Sequence, residues 1–337
     1  MVRPEGVMRL ADVKLSSKPI IRNASAALWD IGDGVVCLEF TGKMNALDGE
    51  VMKLIGQAIP LVAAQYKALV VYNDADTFSA GANLGLALFA VNIAAWSEIE
   101  KLVAGGQLAY KGLKYAPFPV VGAPAGMVLG GGCEILLHCD AIQAHAELYC
   151  GLVECGVGLV PGWGGNGEMI ERWRNAPGMP KGPMPAVAKV FEMVSTAQVS
   201  KSAQQAREMM ILRGDDGITM NRDRLLHDAK QKALSLVEGY TPPEAPEFRL
   251  PGAGGRTALG LAVEGFHKRG MATDYDVVVS GVLADVLTGG GEFDLVDTVS
   301  EGELLKLERD AFMGRLRDAR SVARVEHMLE TGKPLRN

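Results

Sequence analysis

The run Gly130-Gly131-Gly132-Cys133-Glu134, with Glu154 twenty positions later, sets the terms on which the rest of this 337-residue chain is read. Glycine has no Cβ to hold a ligand off the backbone. A glycine run that opens a helix leaves the first N–H groups without intrahelical partners and turns the positive end of the dipole outward. A developing oxyanion is stabilised in such a place, and two carboxylates can handle a proton and a water. Each feature also has a plainer reading. A glutamate in a first helical turn favours the helix by about 0.3–1 kcal/mol. Glu154, beside Gly156 and Gly158, suits a solvated loop, and three glycines permit tight strand-to-helix packing.

Working outward, Pro119 to Ala123 reads as a buried strand before the glycine run, a helix follows from about Gly132 to Cys139, and Ala141 to Ala144 is a further strand. Upstream, Ala27 to Ile31 and Val35 to Phe40 flank Gly32-Asp33-Gly34 as a hairpin. Asp48 caps a helix whose Val51, Leu54, Ile55 and Ala58 recur at helical spacing, with Pro60 expected to kink or end it. Ala68 to Tyr72 is a short apolar strand, Asn73 to Asn83 a polar loop, and Leu84 to about Leu113 is largely helical. Strands alternating with helices predict α/β architecture.

The second half changes character. Prolines at 177, 180, 183 and 185, and again at 242, 243, 246 and 251, are expected to break regular elements. Helical patterns cover Ala203 to Leu212, Arg222 to Val237, Asp274 to Leu287 and Leu304 to Met313. Ser300 with Glu303 forms a capping-box pair for the last, and Gly289-Gly290-Gly291 ends the one before it.

Bulk properties narrow the function. With 34 basic against 40 acidic residues the net charge is −6, so there is no global basic field for nucleic acid. The longest nearly uncharged apolar run, Leu84 to Trp96, is shorter than the roughly 20 residues that cross a bilayer. Arg3, Glu5, Arg9, Asp12 and Lys14 interrupt any leader-like start, so a soluble cytoplasmic protein is expected. Cys133, Cys139, Cys150 and Cys155 lie near His138 and His145 but without metal-ligand spacing, which favours reduced core thiols and no metal site. Gly126 to Cys133 has the glycine frame of a P-loop, yet Gly132 and Cys133 stand where Lys and Ser or Thr are required. Gly162, Gly164 and Gly167 formally fit the dinucleotide fingerprint, but Pro161 interrupts the approach and a proline-rich break follows instead of a second strand.

Three segments in order resemble the crotonase superfamily, the enoyl-CoA hydratases and isomerases. Phe78-Ser79-Ala80-Gly81-Ala82-Asn83-Leu84 is similar to that family's first oxyanion loop. Gly126-Met127-Val128-Leu129-Gly130-Gly131-Gly132-Cys133-Glu134 is similar to its second. The stretch from Gly151 to Gly165 matches the one holding a second glutamate seven residues before a Pro-Gly-x-Gly-Gly turn. The likeness covers roughly residues 26 to 235. The ending, through Glu326-His327-Met328-Leu329 and Gly332-Lys333-Pro334-Leu335-Arg336-Asn337, resembles the hydratase part of multifunctional 3-hydroxyacyl-CoA dehydrogenases.

The resemblance implies a crotonase-type spiral of strand-strand-helix units over residues 24–195, and a mainly helical region over 196–337 serving oligomerisation and pocket cover. It implies hydration of trans-2-enoyl-CoA in fatty-acid β-oxidation, where charge builds on the thioester oxygen and must meet pre-aimed donors. By that resemblance the N–H groups of Ala82 and Gly131 are the donors, Glu134 deprotonates the water, and Glu154 supplies the C2 proton. Coenzyme A, part of the substrate with no separate cofactor, would lie along Lys43, Ala46 and Leu47 and along Ala80, Gly81, Asn83 and Gly130. Lys43 would meet a phosphate there, although a lone surface lysine is as readily a solvated charge. Leu84 to Trp96 would line or cover the acyl pocket, or else is an ordinary core helix. Asn83 departs from the family, which often has Asp there, and this bears on substrate preference. Both glutamates favour hydration over isomerisation, which needs one, and over a catalytically silent subunit of a β-oxidation complex. Homotrimers or hexamers, and association or fusion with a 3-hydroxyacyl-CoA dehydrogenase, are further implications. Val277, Val278, Val282, Leu283 and Val286 suit burial in an interface or in the chain's own core alike.

Overall fold

The computed structural model describes residues 4–290 and 297–337, which form two compact units, each assembled from separated stretches. The first takes residues up to Ala82, Leu108–Cys150 and Val199–Glu244; the second takes Asn83–Gln107, Gly151–Gln198 and the chain from Ala245 onward.

The first unit is built on a seven-stranded sheet. In chain order its strands, with those of a smaller companion sheet, are β1 (Ile21–Arg22), β2 (Ala26–Asp30), β3 (Val35–Phe40), β4 (Ala68–Tyr72), β5 (Thr77–Ser79), β6 (Val120–Ala123), β7 (Gly126–Leu129), β8 (Ala141–His145), β9 (Leu148–Gly151) and β10 (Gly217–Thr219). The large sheet runs β1-β2-β3-β4-β6-β8-β10, and the small one β5-β7-β9. The expected hairpin is present, antiparallel, with Leu28 opposite Leu38; from β3 onward every pairing in the large sheet is parallel. Parallel strands are covered on both faces, so they read as continuous apolar runs. All five residues of β4 and all six of β3 are buried, including Glu39, which accepts from Trp29 Nε1 at 3.0 Å and pairs with Lys14. The Leu225–Ser235 helix lays Leu225, Leu226, Ala229 and Ala233 across β4, β6 and β8, where they join Val70, Val121 and Ala141 in one core.

Asp48 caps the Gly49–Gln65 helix, its carboxylate accepting from the N–H groups of Glu50 and Val51. Of the two outcomes expected at Pro60, an end to the helix does not occur, and the helix continues to Gln65. The exposed ring leaves intact the buried stripe of Val51, Leu54, Ile55, Ala58 and Val62, whose burial outweighs one lost backbone hydrogen bond.

The second unit is mainly helical. Its longer helices are Gly165–Arg174, Pro183–Ser195, Gly252–Lys268, Asp274–Leu287, Glu301–Leu316 and Ala319–Thr331, with a two-stranded ribbon of Glu247–Phe248 and Val299–Ser300. The capping box of Ser300 and Glu303 is present. Asp274–Leu287 ends as expected before Gly289 and Gly290, both at positive φ, while Gly291 lies outside the described residues. Leu283 and Val286 of that helix are buried within the chain. Pro183 starts a helix instead of breaking one, because the N–H it lacks is unpaired at a first helical position anyway. In the first unit, the helix expected from Ala203 to Leu212 stops at Glu208, with Met210 turned to a left-handed φ of 57°. Among the described residues no helix is long and apolar enough to cross a membrane.

Candidate functional site

In the first unit, the loop after β5 and the loop after β7 lie against one another. Gly81 is at φ +88°, and a Cβ there would stand 2.7 Å from the Leu129 carbonyl oxygen and 3.3 Å from the Gly131 nitrogen. Only a residue without a side chain lets the two backbones approach this closely. The loop around Gly81 is tied to the Lys43–Asn45 turn and its exit. Ala80 N donates to Met44 O at 3.1 Å, and Leu47 N to Gly81 O at 2.8 Å. Leu47 and Ala82 form a parallel bridge, and the bond it draws on is to the Gly81 carbonyl, not to the Ala82 N–H. Asn45 ties the turn to β5 by donating from Nδ2 to Thr77 O, while Ser79 Oγ returns a bond to Asn45 O.

Gly130 leads into the short Gly131–Leu137 helix, with Cys133 N and Glu134 N returning to Gly130 O at 2.7 and 2.9 Å. Gly131 and Gly132 precede the first intrahelical donors, which is where oriented N–H groups are available. Glu134 is 2 % exposed in the first turn. Two residues not singled out by sequence as parts of this arrangement support it. Tyr110 donates its hydroxyl to Gly131 O at 2.8 Å, and His138 places Nδ1 2.8 Å from Glu134 O with its ring tilted on Tyr110 at 5.5 Å. Nothing in the periodicity around Tyr110 distinguishes it from an ordinary core aromatic.

Thus Lys43, Ala46, Leu47, Ala80, Gly81, Ala82, Gly130, Gly131 and Glu134 all lie on neighbouring segments of one unit, with Lys43 exposed. Asn83 and Glu154 belong to the second unit. Asn83 caps the Leu84–Asn92 helix, its Oδ1 accepting from Leu86 N at 3.1 Å, a task Asp would perform equally well. That helix has no buried residue; Leu86 and Phe89 are among the exposed apolar side chains.

Glu154 opens the short 3-10 turn Glu154–Val157, whose next residue, Gly158, is left-handed. Leu159 N donates back to Glu154 O at 3.0 Å and Gly156 N to Val153 O at 2.9 Å, closing the turn. Burial first, and then the charges of Glu154 and Asp276, push the Cys155 thiol well up, so it stays protonated beside the glutamate. The Pro-Gly-x-Gly-Gly segment is held from the C-terminal side. The buried Glu308 carboxylate accepts from Gly164 N at 2.7 Å and Asn166 N at 3.1 Å, and Gln107 Nε2 donates to Gly162 O and Leu305 O. All five cysteines are buried thiols.

The family model described as enoyl-CoA hydratase/isomerase matches residues 30–177. Over 332 residues the chain is 41% identical to a Bacillus subtilis (strain 168) protein named "Probable 3-hydroxyacyl-CoA dehydrogenase", covering 98% of this chain and 41% of the relative. It is 26% identical over 251 residues to the fatty acid oxidation complex subunit alpha of Psychrobacter sp. (strain PRwf-1), covering 71% of this chain and 35% of that one. The chain therefore spans well under half the length of these curated relatives. Among solved structures, the enoyl-CoA hydratase of Bacillus halodurans superposes with a TM-score of 0.61 at 14% identity, over 90% of this chain and 99% of that one, a likeness of fold. The family model over residues 30–177 and the likeness of fold agree: this stretch matches the enoyl-CoA hydratase/isomerase family, within the crotonase superfamily.

Proposed function

We propose that this chain hydrates trans-2-enoyl-CoA thioesters, as the hydratase portion of a β-oxidation protein. The observation that carries the reading is the contact of Gly81 with Leu129 O and Gly131 N, which brings the Ala80–Ala82 loop against the opening turn of the helix bearing Glu134. In this reading the Ala82 and Gly131 N–H groups receive the thioester oxygen as it becomes an enolate, and a buried carboxylate within one helical turn activates water. Glu154 supplies the C2 proton. Lys43 and the Ala46–Leu47 backbone meet coenzyme A.

The names of the longer relatives support a place beside a 3-hydroxyacyl-CoA dehydrogenase, fused or associated, with the nicotinamide step performed outside this chain. A cytoplasmic trimer or hexamer is part of the same proposal. The test follows loss of crotonyl-CoA absorbance at the conjugated thioester band. Wild-type protein should turn it over, and Glu134→Gln should lose most of that activity, at least about 10²-fold. A Glu134→Gln variant that still shifts the double bond of a 3-enoyl-CoA at the wild-type rate would mark an isomerase. Absence of any turnover, with a dehydrogenase copurifying, would mark a silent subunit.

A further inference from the structure

Gly158, four residues after Glu154, is gripped from the C-terminal helices. Ser321, fully buried on the Ala319–Thr331 helix, donates its hydroxyl to Gly158 O at 2.5 Å. Tyr275, 1 % exposed on the Asp274–Leu287 helix, has its hydroxyl 2.6 Å from Ser321 Oγ. A serine hydroxyl has one hydrogen, and here Gly158 O takes it, so Tyr275 must be the donor to Ser321. The chain of bonds therefore runs one way, from Tyr275 through Ser321 to the Gly158 carbonyl.

That carbonyl belongs to the same planar peptide as the Leu159 N–H, which donates to Glu154 O at 3.0 Å. Ser321 pulls on one edge of the plate and Glu154 accepts from the other, and bonds in series through one amide polarise each other. The contact is close-fitted. Gly158 is at φ +79°, and a Cβ there would stand 2.8 Å from Ser321 Oγ and 3.1 Å from its Cα. Tyr275 is itself immobilised, with the guanidinium carbons of Arg320 and Arg324 4.2 and 5.0 Å from its ring centroid. Arg324, 2 % exposed, is held in turn by Asp276 at 2.9 Å and Asn337 at 2.7 Å.

We propose that Ser321, oriented by Tyr275, is a positioning residue for Glu154, so that two helices of the C-terminal region set the aim of one catalytic carboxylate. The inference rests on the hydratase reading for its kinetic consequence and on hydrogen bonding alone for its structural one.

The experiment compares Ser321→Ala in the wild-type and Glu154→Gln backgrounds, with crotonyl-CoA as substrate and amide exchange at Leu159 as a readout that needs no activity. A carboxylate displaced by a fraction of an ångström should cost about tenfold in kcat, with KM changed less than about twofold. Within Glu154→Gln the same substitution should cost little more, because both changes act through one group. Leu159 exchange should quicken in Ser321→Ala. An equal loss in the two backgrounds, or a kcat within about twofold of wild type in a folded variant, overturns the proposal. If wild-type protein turns over no enoyl-CoA, the hydratase reading falls. Exchange at Leu159 then decides whether Ser321 holds the Glu154 turn, unchanged exchange being the overturning result. Should Ser321→Ala not fold, Tyr275→Phe removes the orienting donor, along with the acceptor of a long 3.5 Å bond from Arg315, and should show the same pattern at about threefold.

Discussion

The two glutamates stand in contrasting surroundings. Glu134 sits on a helix whose approach is made of backbone: glycines at 81, 130, 131 and 132, and carbonyls that meet N–H groups of nearby loops. Glu154 sits on a turn whose cap, Gly158, is held by Ser321 from 163 residues away, and the glycine segment after it is held by Glu308 at 144 residues from Gly164. Backbone devices leave a mark in sequence because only glycine will serve. Side-chain clamps leave almost none, since serine, tyrosine and glutamate serve in many other ways.

Substitutions can break or sharpen this contrast. The largest effect is expected at Gly81. A Gly81→Ala chain must place a Cβ 2.7 Å from the Leu129 oxygen at a positive φ, so the loops after β5 and β7 move apart. Hydration should fall at least about 10²-fold, the scale of losing one oxyanion donor. Near-wild-type turnover would show that the approach of these loops does not matter.

Next is Arg324→Met, which strips Asp276 of its buried partner and Tyr275 of one of its cations. Asp276 keeps some access to water, so the loss in denaturant stability should be about 2–3 kcal/mol, below the full cost of orphaning a buried charge. A loss under half of that would assign the hold on the Glu154 side to packing alone.

Pro60→Ala tests a position remote from both glutamates. It restores a backbone hydrogen bond in an exposed stretch of the Gly49–Gln65 helix, and should raise stability by about 1 kcal/mol after the lost unfolded-state restriction is allowed for. kcat should not change, so thermal melting and turnover report separately.

The smallest effect concerns pH. Burial alone would raise the Asp276 carboxyl, but the Thr273 backbone bond and the Arg324 ion pair together outweigh it and hold its pKa below the ordinary carboxylate value. A folded pKa below the unfolded one means stabilisation that is present above the unfolded value and is lost as pH falls through the folded one. The denaturation-midpoint gap between wild type and Asp276→Asn should be full at neutral pH and shrink below about pH 4. A gap that stays constant down to acid pH would remove the ion pair from the account.

Legibility followed the same division. Val35–Phe40, Ala68–Tyr72 and Asp274–Leu287 were readable because apolar runs and their breakers are local, as was the Ser300–Glu303 capping box. Gly252–Lys268 is poorly marked in sequence because it opens with Gly-Ala-Gly-Gly, a weak start for a helix, and it packs on its neighbour Asp274–Leu287. Ala319–Thr331 carries Val322, Val325 and Leu329 at helical spacing yet buries only Ser321, Arg324 and Val325. By residue type alone Pro60 and Pro183 predict breaks, whereas burial of the helix face and first-turn placement keep both within helices.

By itself the amino-acid order determined the alternating strands and helices, the two glycine loops and the carboxylate of Glu134 after the second of them, because each depends on residues within a turn or two of one another. Only the tertiary structure decided that Tyr110 supports Gly131, that the chain interleaves two units from separated stretches, and that Ser321 and Tyr275 reach the Glu154 turn. Those outcomes depend on which distant side chains burial forces into contact, a choice that no short-range pattern encodes.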